Sequence, residues 1–175
     1  MRIYSIRYLP CLLTVVSLTA YALNDGFDDE YDQKPWEEIK VQLPAFPKDG
    51  ALIPFTVGAV RDKEFMIDGD SVSVGADGVV RYTIVIVSNS GAKNISFEGI
   101  RCATAERRYY AFGHSDGTWS KARSNSWIAI HGGSNDFHRE LYSNYFCANS
   151  GVISVGDADE VRRTLRNGGL SAQRR

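Results

Sequence analysis

The chain has 175 residues, 43% of them apolar and 23% charged, with 20 Lys+Arg against 21 Asp+Glu for a formal charge of −1. That length predicts one domain with room for a tail, and the charge balance excludes a nucleic-acid binder that works by phosphate neutralisation. The apolar fraction excludes a wholly disordered chain, and no apolar run reaches the roughly 18 residues of a spanning helix.

The first 22 residues read as a signal peptide. Arg2 and Arg7 precede the apolar run Cys11–Ala22, which ends in the small-x-small triplet Ala20-Tyr21-Ala22, so cleavage is expected between Ala22 and Leu23. Cys11 follows Tyr8-Leu9-Pro10 at the start of that run, the wrong context for a lipid anchor. The mature protein is therefore expected in the periplasm, with a formal charge of −3 once Arg2 and Arg7 are removed. Two cysteines then remain, Cys102 and Cys147, and an even pair in an oxidising compartment predicts a disulfide rather than a reactive thiol pair. Residues 23–35, with Asp25, Asp28, Asp29, Glu30 and Asp32, read as an acidic flexible leader.

Beyond the leader, Ile39, Val41 and Leu43 alternate as in a strand, and Pro44, Pro47 and Pro54 predict an irregular or edge-like stretch. Phe65–Ile67 and Ser71–Val74 are two short β-like runs. Ala76-Asp77-Gly78 turns the chain into Val79–Val87, whose apolar residues on both faces predict a central strand. Asn89-Ser90-Gly91 turns again into Lys93–Cys102, and Arg107–His114 follows with a turn at Asp116-Gly117. Strands joined by short turns predict an antiparallel meander. Phe137, Leu141 and Tyr145 lie at helical spacing in Asp136–Phe146, with Ser134 or Asp136 as cap. Asp157–Asn167 carries acids in its first turn, arginines in its last and Gly168 beyond. The expected fold class is α+β: an antiparallel meander with one or two C-terminal helices packed on it and one disulfide.

The search for chemistry is less productive. His131 and His138, with Asp136 between them, match no metal-ligand spacing, so no metal is assigned. No nucleophile elbow and no phosphate-binding glycine loop occur, and no cofactor is implied. Glu98 and Glu106 are candidates for a carboxylate pair.

Four segments carry a resemblance: WEEIKVQLPAFP (36–47), SFEGIRCATAERRYYAFG (96–113), GTWSKARSNSW (117–127) and HRELYSNYFC (138–147), with VGADGVVRYTIVIVS (74–88) between them. They resemble the neisserial "cryptic protein" family of small exported proteobacterial proteins. The resemblance implies an exported single domain and no particular reaction. It covers residues 36–147; the domain is read as residues 36–156, and residues 157–175, a C-terminal helix and basic tail, lie outside the resemblance.

On these readings the protein is a non-catalytic binding or accessory module of the cell envelope. The alternative is an envelope hydrolase using Glu98, Glu106 and His138, whose residues converge from distant positions. The binding site is placed in the segment richest in Arg, Tyr and Trp, at Arg108, Tyr110, Trp119 and Arg123, since these side chains dominate binding hot spots. On a regular strand Arg108, Tyr110, Phe112 and His114 share one face. The expected partner is an envelope protein or an anionic or carbohydrate envelope ligand, with no nucleic acid and no transmembrane segment after signal removal.

Overall fold

Glycine turns at Gly78, Gly91 and Gly117, all at positive φ, reverse the chain three times and set up the meander. The computed structural model describes residues 35–133, 135–147 and 151–172. The expected signal peptide, nearly all of the acidic leader and Ser134 lie outside them. The strands are β1 (Leu52–Phe55), β2 (Lys63–Val74), β3 (Val79–Ser88), β4 (Lys93–Arg101), β5 (Glu106–Gly113), β6 (Trp119–Lys121) and β7 (Ile128–Ala129). Among the described residues they form one antiparallel sheet in the order β1-β2-β3-β4-β5-β6, with β7 also paired to β5. The two short runs expected at Phe65–Ile67 and Ser71–Val74 are one strand, interrupted by a register shift between Asp68 and Ser73.

Pleat alternation gives the sheet two different faces. Tyr82 and Ile84 of β3, Ile67 of β2 and Ile100 of β4 point to one side and are inaccessible. The C-terminal helices cover them. α1 (Phe137–Glu140) runs directly into a wider π-helical segment, Leu141–Phe146, and α2 (Ala158–Arg166) follows. Asp136 caps α1 by accepting from the His138 N–H at 2.9 Å, and Asp157 caps α2. Leu141, Tyr145, Phe146, Val161 and Leu165 enter the same core. The disulfide joins Cys102, just past β4, to Cys147 at the end of the π-helical segment, and so ties helix to sheet as expected.

The other face is covered by a strap, residues 36–47. Its alternating Ile39, Val41 and Leu43 suggested a strand, but no residue of the strap belongs to the sheet. Asp77 supplies a carboxylate to the Ile39 N–H at 3.0 Å, and the other strap contacts run through side chains. Alternation alone cannot distinguish a strand from an extended segment lying flat on a sheet.

β5 departs from regular geometry once. Glu98 pairs with Tyr109 and Phe97 with Ala111, so Tyr110 is an extra residue, a β-bulge. The alternation is reset there. Phe112 pairs with Ser96 and joins the helix-side face with Tyr109, so the single face expected for Arg108, Tyr110 and Phe112 does not form.

Candidate functional site

Arg81 lies in the middle of β3 and points to the strap side, with 3% of its surface exposed. A guanidinium buried there needs anionic partners, and two elements supply them. Asp77, in the turn before β3, receives an Nη2–H at 2.6 Å, and Glu38 of the strap receives another at 3.1 Å. Burial opposes the Asp77 charge, but hydrogen bonds from Arg81 and the Ile39 N–H outweigh it and hold the carboxyl below its usual range. Glu38 also accepts from Arg108 and, at 2.5 Å, from the Tyr110 hydroxyl. Burial, and then the bond to Glu38, push the Tyr110 phenol well above its ordinary value. One strap carboxylate thus gathers donors from β3 and β5.

Aromatic contacts fix the strap at both ends. The Arg101 guanidinium lies 3.7 Å from the Trp36 ring centroid, Trp127 meets Trp36 edge-on at 5.9 Å, and the Trp36 indole donates to the Asp77 carbonyl at 2.8 Å. At the far end the Trp119 indole donates to the Pro44 carbonyl at 3.1 Å and its ring rests on Phe46. Gly113 accommodates this approach: a Cβ there would come within 2.9 Å of the Phe46 ring.

The four residues expected to bind a ligand therefore divide. Arg108, Tyr110 and Trp119 lie on one face and hold the strap. Arg123 is exposed in the loop after β6 and has no partner among the described residues. Glu38 was not singled out in the sequence, where it is one acid among several, although its spacing from Trp36 within WEEIK was visible. Between the strap and the β6–β7 loop runs an open groove of about 510 Å³. Ile39, Val41 and Leu43 form one wall, and Arg108, Lys121 and Asn125 part of the other. Ile39 and Leu43 are 45% and 42% exposed, an apolar strip left beside basic side chains.

Two of the three residues considered for hydrolysis come together on the helix side. His138 Nε2 lies 2.7 Å from Glu98, which also accepts from the Tyr82 hydroxyl at 3.2 Å and from Ser96. His138 Nδ1 faces Asp136 at 3.4 Å. Glu98 and His138 are 1% and 4% exposed, under α1 and the sheet, so no substrate reaches them without unfolding the helix. Glu106 is elsewhere, bonded to Thr104 at 2.5 Å and 4.0 Å from Arg101. Among the described residues no group of three His, Cys, Asp or Glu side chains is placed to hold a metal ion. No helix of these residues is long and apolar enough to cross a membrane.

The fold and this site define a class of disulfide-tied α+β domain whose antiparallel sheet carries helices on one face and a side-chain-anchored strap on the other. The CNP1-like family model matches residues 31–166, from before the strap to the last residue of α2, and the chain belongs to that family. It is similar to "Cryptic neisserial protein 1" of Neisseria gonorrhoeae, 29% identical over 161 residues that take in 82% of this chain and 78% of that protein. No solved structure matches the chain.

Proposed function

We propose that this protein is an exported, non-catalytic binding module of the cell envelope, and that its contact surface is the groove between the strap and the β6–β7 loop. The observation that carries this reading is the exposed Ile39–Leu43 strip facing Lys121 and the Glu38-paired Arg108 across the groove, with Arg123 exposed in the adjoining loop. With Glu38 taken up by Arg81 and Arg108, Lys121 is the cation on the rim without an ion pair among the described residues, and an apolar strip beside such a cation suits a protein partner of opposite charge. The partner fitting this groove is an extended, acidic segment of another envelope protein. The buried Glu98–His138 pair supports a structural role for these residues and gives no support to hydrolysis. Export rests on the Arg2/Arg7 segment and the apolar run ending at Ala22.

Capture of an envelope partner by wild-type protein and by the double variant K121E/R123E tests the contact surface. Loss of the same captured protein from the variant, at an unchanged melting temperature, is the expected result. Equal capture by both would remove the groove from consideration. Intact-mass measurement of exported protein tests the export reading: the chain should begin at Leu23 and carry no acyl group.

A further inference from the structure

A second concave surface lies at the opposite edge of the sheet, between α2 and the start of β1. It encloses about 460 Å³. Its floor is the apolar run Leu52–Pro54, and its rim carries Lys48, Arg162 and Arg166 against a single acid, Asp70.

The three cations are not equivalent. Arg162 is spoken for: Nη1 donates to the Gly69 carbonyl at 2.9 Å and Nη2 to Asp159 at 2.5 Å. It contributes fixed positive potential and few free donors. The side chains of Arg166 and Lys48 make no hydrogen bond or ion pair among the described residues, although Arg166, after Arg162, is near enough to Asp159 to help lower its pKa. Arg166, in the last turn of α2, suits the helix dipole, but that explains neither Lys48 on the facing turn nor the cleft between them. A free guanidinium fork presents two donors matched to two oxygens of one anion, and an ammonium presents a point charge to a third.

We propose that this cleft binds a phosphate group, with Arg166 and Lys48 as its direct ligands and Arg162 as a fixed background charge. With Asp159 neutralising Arg162 the surroundings keep a net positive charge of one, and a phosphate offers the three acceptor oxygens that the guanidinium fork and the ammonium together address, one more than a carboxylate has. The apolar floor fits a short hydrocarbon substituent beside it, so a phosphate ester is the favoured form. That chemistry has two sources, a soluble phosphate monoester or the headgroup of an anionic lipid. The site shares no residue with the groove proposed above, and its test is independent of it.

The test uses the mature protein with two probes: glycerol 3-phosphate followed by NMR titration, and vesicles containing phosphatidylglycerol followed by flotation. Three proteins are compared: wild type, K48A/R166A, and R163A. Arg163 is exposed on the same helix but does not line the cleft, so R163A controls for general charge. Binding of the soluble ester that falls at least about tenfold in K48A/R166A and little in R163A supports the proposal with a soluble ligand. Flotation alone, lost in the same pattern, supports it with a lipid source. Binding of neither probe, binding unchanged in K48A/R166A, or equal losses in both variants would overturn it. The melting temperature of K48A/R166A should match wild type, since neither side chain is buried or paired.

Discussion

Glu38 is the residue on which the strap face turns. Its carboxylate faces two guanidiniums and a phenol, and its side chain is 13% exposed. Replacing it by alanine leaves Tyr110 without its acceptor and Arg108 with Asn125 alone, while Arg81 keeps Asp77. Removing one partner of a buried ion pair costs about 3–5 kcal/mol; with Asp77 retained, E38A should cost roughly 2–3 kcal/mol. Chemical denaturation of E38A and E38Q checks this, and E38Q should recover part of the loss. Asp77 adds a pH dependence. Its folded-state pKa is lowered, so its contribution is present above the unfolded value near 4 and is lost as pH falls through the folded one. Denaturation midpoints from pH 6 down to about pH 2 should fall less steeply in D77N, from a lower starting stability. In alkali the sign reverses. Tyr82 and Tyr110 are both raised, by burial first and by a neighbouring carboxylate next. The stability they contribute is intact below the unfolded tyrosine value of about 10 and declines above it.

At the scale of elements, α1 and its π-helical continuation are joined to the sheet at both ends, by His138–Glu98 near the start and by the disulfide at the finish. The sequence separation of 45 residues gives the bridge about 4 kcal/mol in the chain-entropy estimate. For a domain of this size that corresponds to a melting temperature lower by roughly 8–16 °C in C102S/C147S. Differential scanning calorimetry under oxidising and reducing conditions reads it directly. E98A removes an acceptor from Tyr82, Ser96 and His138 together and should cost about 3 kcal/mol or more. β2 read as two short runs because a register shift interrupts it, whereas the helical segments and strands β3, β4 and β5 were legible in the sequence because hydrophobic period, caps and glycine turns agree there. The β5 bulge was not. An extra residue in a strand is set by its partner's register, and nothing in Arg107–Gly113 announces that Tyr110 faces no partner across β4. The strap was misread for a related reason, since Ile39, Val41 and Leu43 would look the same in a ladder.

Over the whole molecule, the sheet has a different covering on each side. The helix side is an apolar core sealed around one polar cluster, and the strap side is held by charge and aromatic contact. The cluster at Arg108, Tyr110, Trp119 and Arg123 was legible as a concentration of unusual side chains, but its role was not. Sequence shows that arginines and aromatics are near one another in the chain; it does not show that Arg108 and Tyr110 both hold Glu38, 70 residues from Arg108. The sheet's outer strand β1 carries Pro54, which has no N–H to offer another chain. Edge-to-edge polymerisation is thereby discouraged at that side. P54V should raise the aggregation rate measured by light scattering at high concentration, with a change in melting temperature of less than about 1 kcal/mol equivalent.

The strap's mode of attachment has a consequence for how it would look to different probes. Trp36, Glu38 and Phe46 are held by side-chain contacts, yet among the described residues the Ile39 N–H is the one strap peptide donor with a protein acceptor. Solvent deuterium should therefore enter residues 36–47 as it enters a loop, within the shortest labelling times, while β3 and β4 resist. Fluorescence quenching of Trp36, isolated by replacing Trp119 and Trp127 with Phe, should report a well-ordered, partly shielded indole. Measured by its amides the segment would be drawn as mobile, and measured by its indole as part of the folded body.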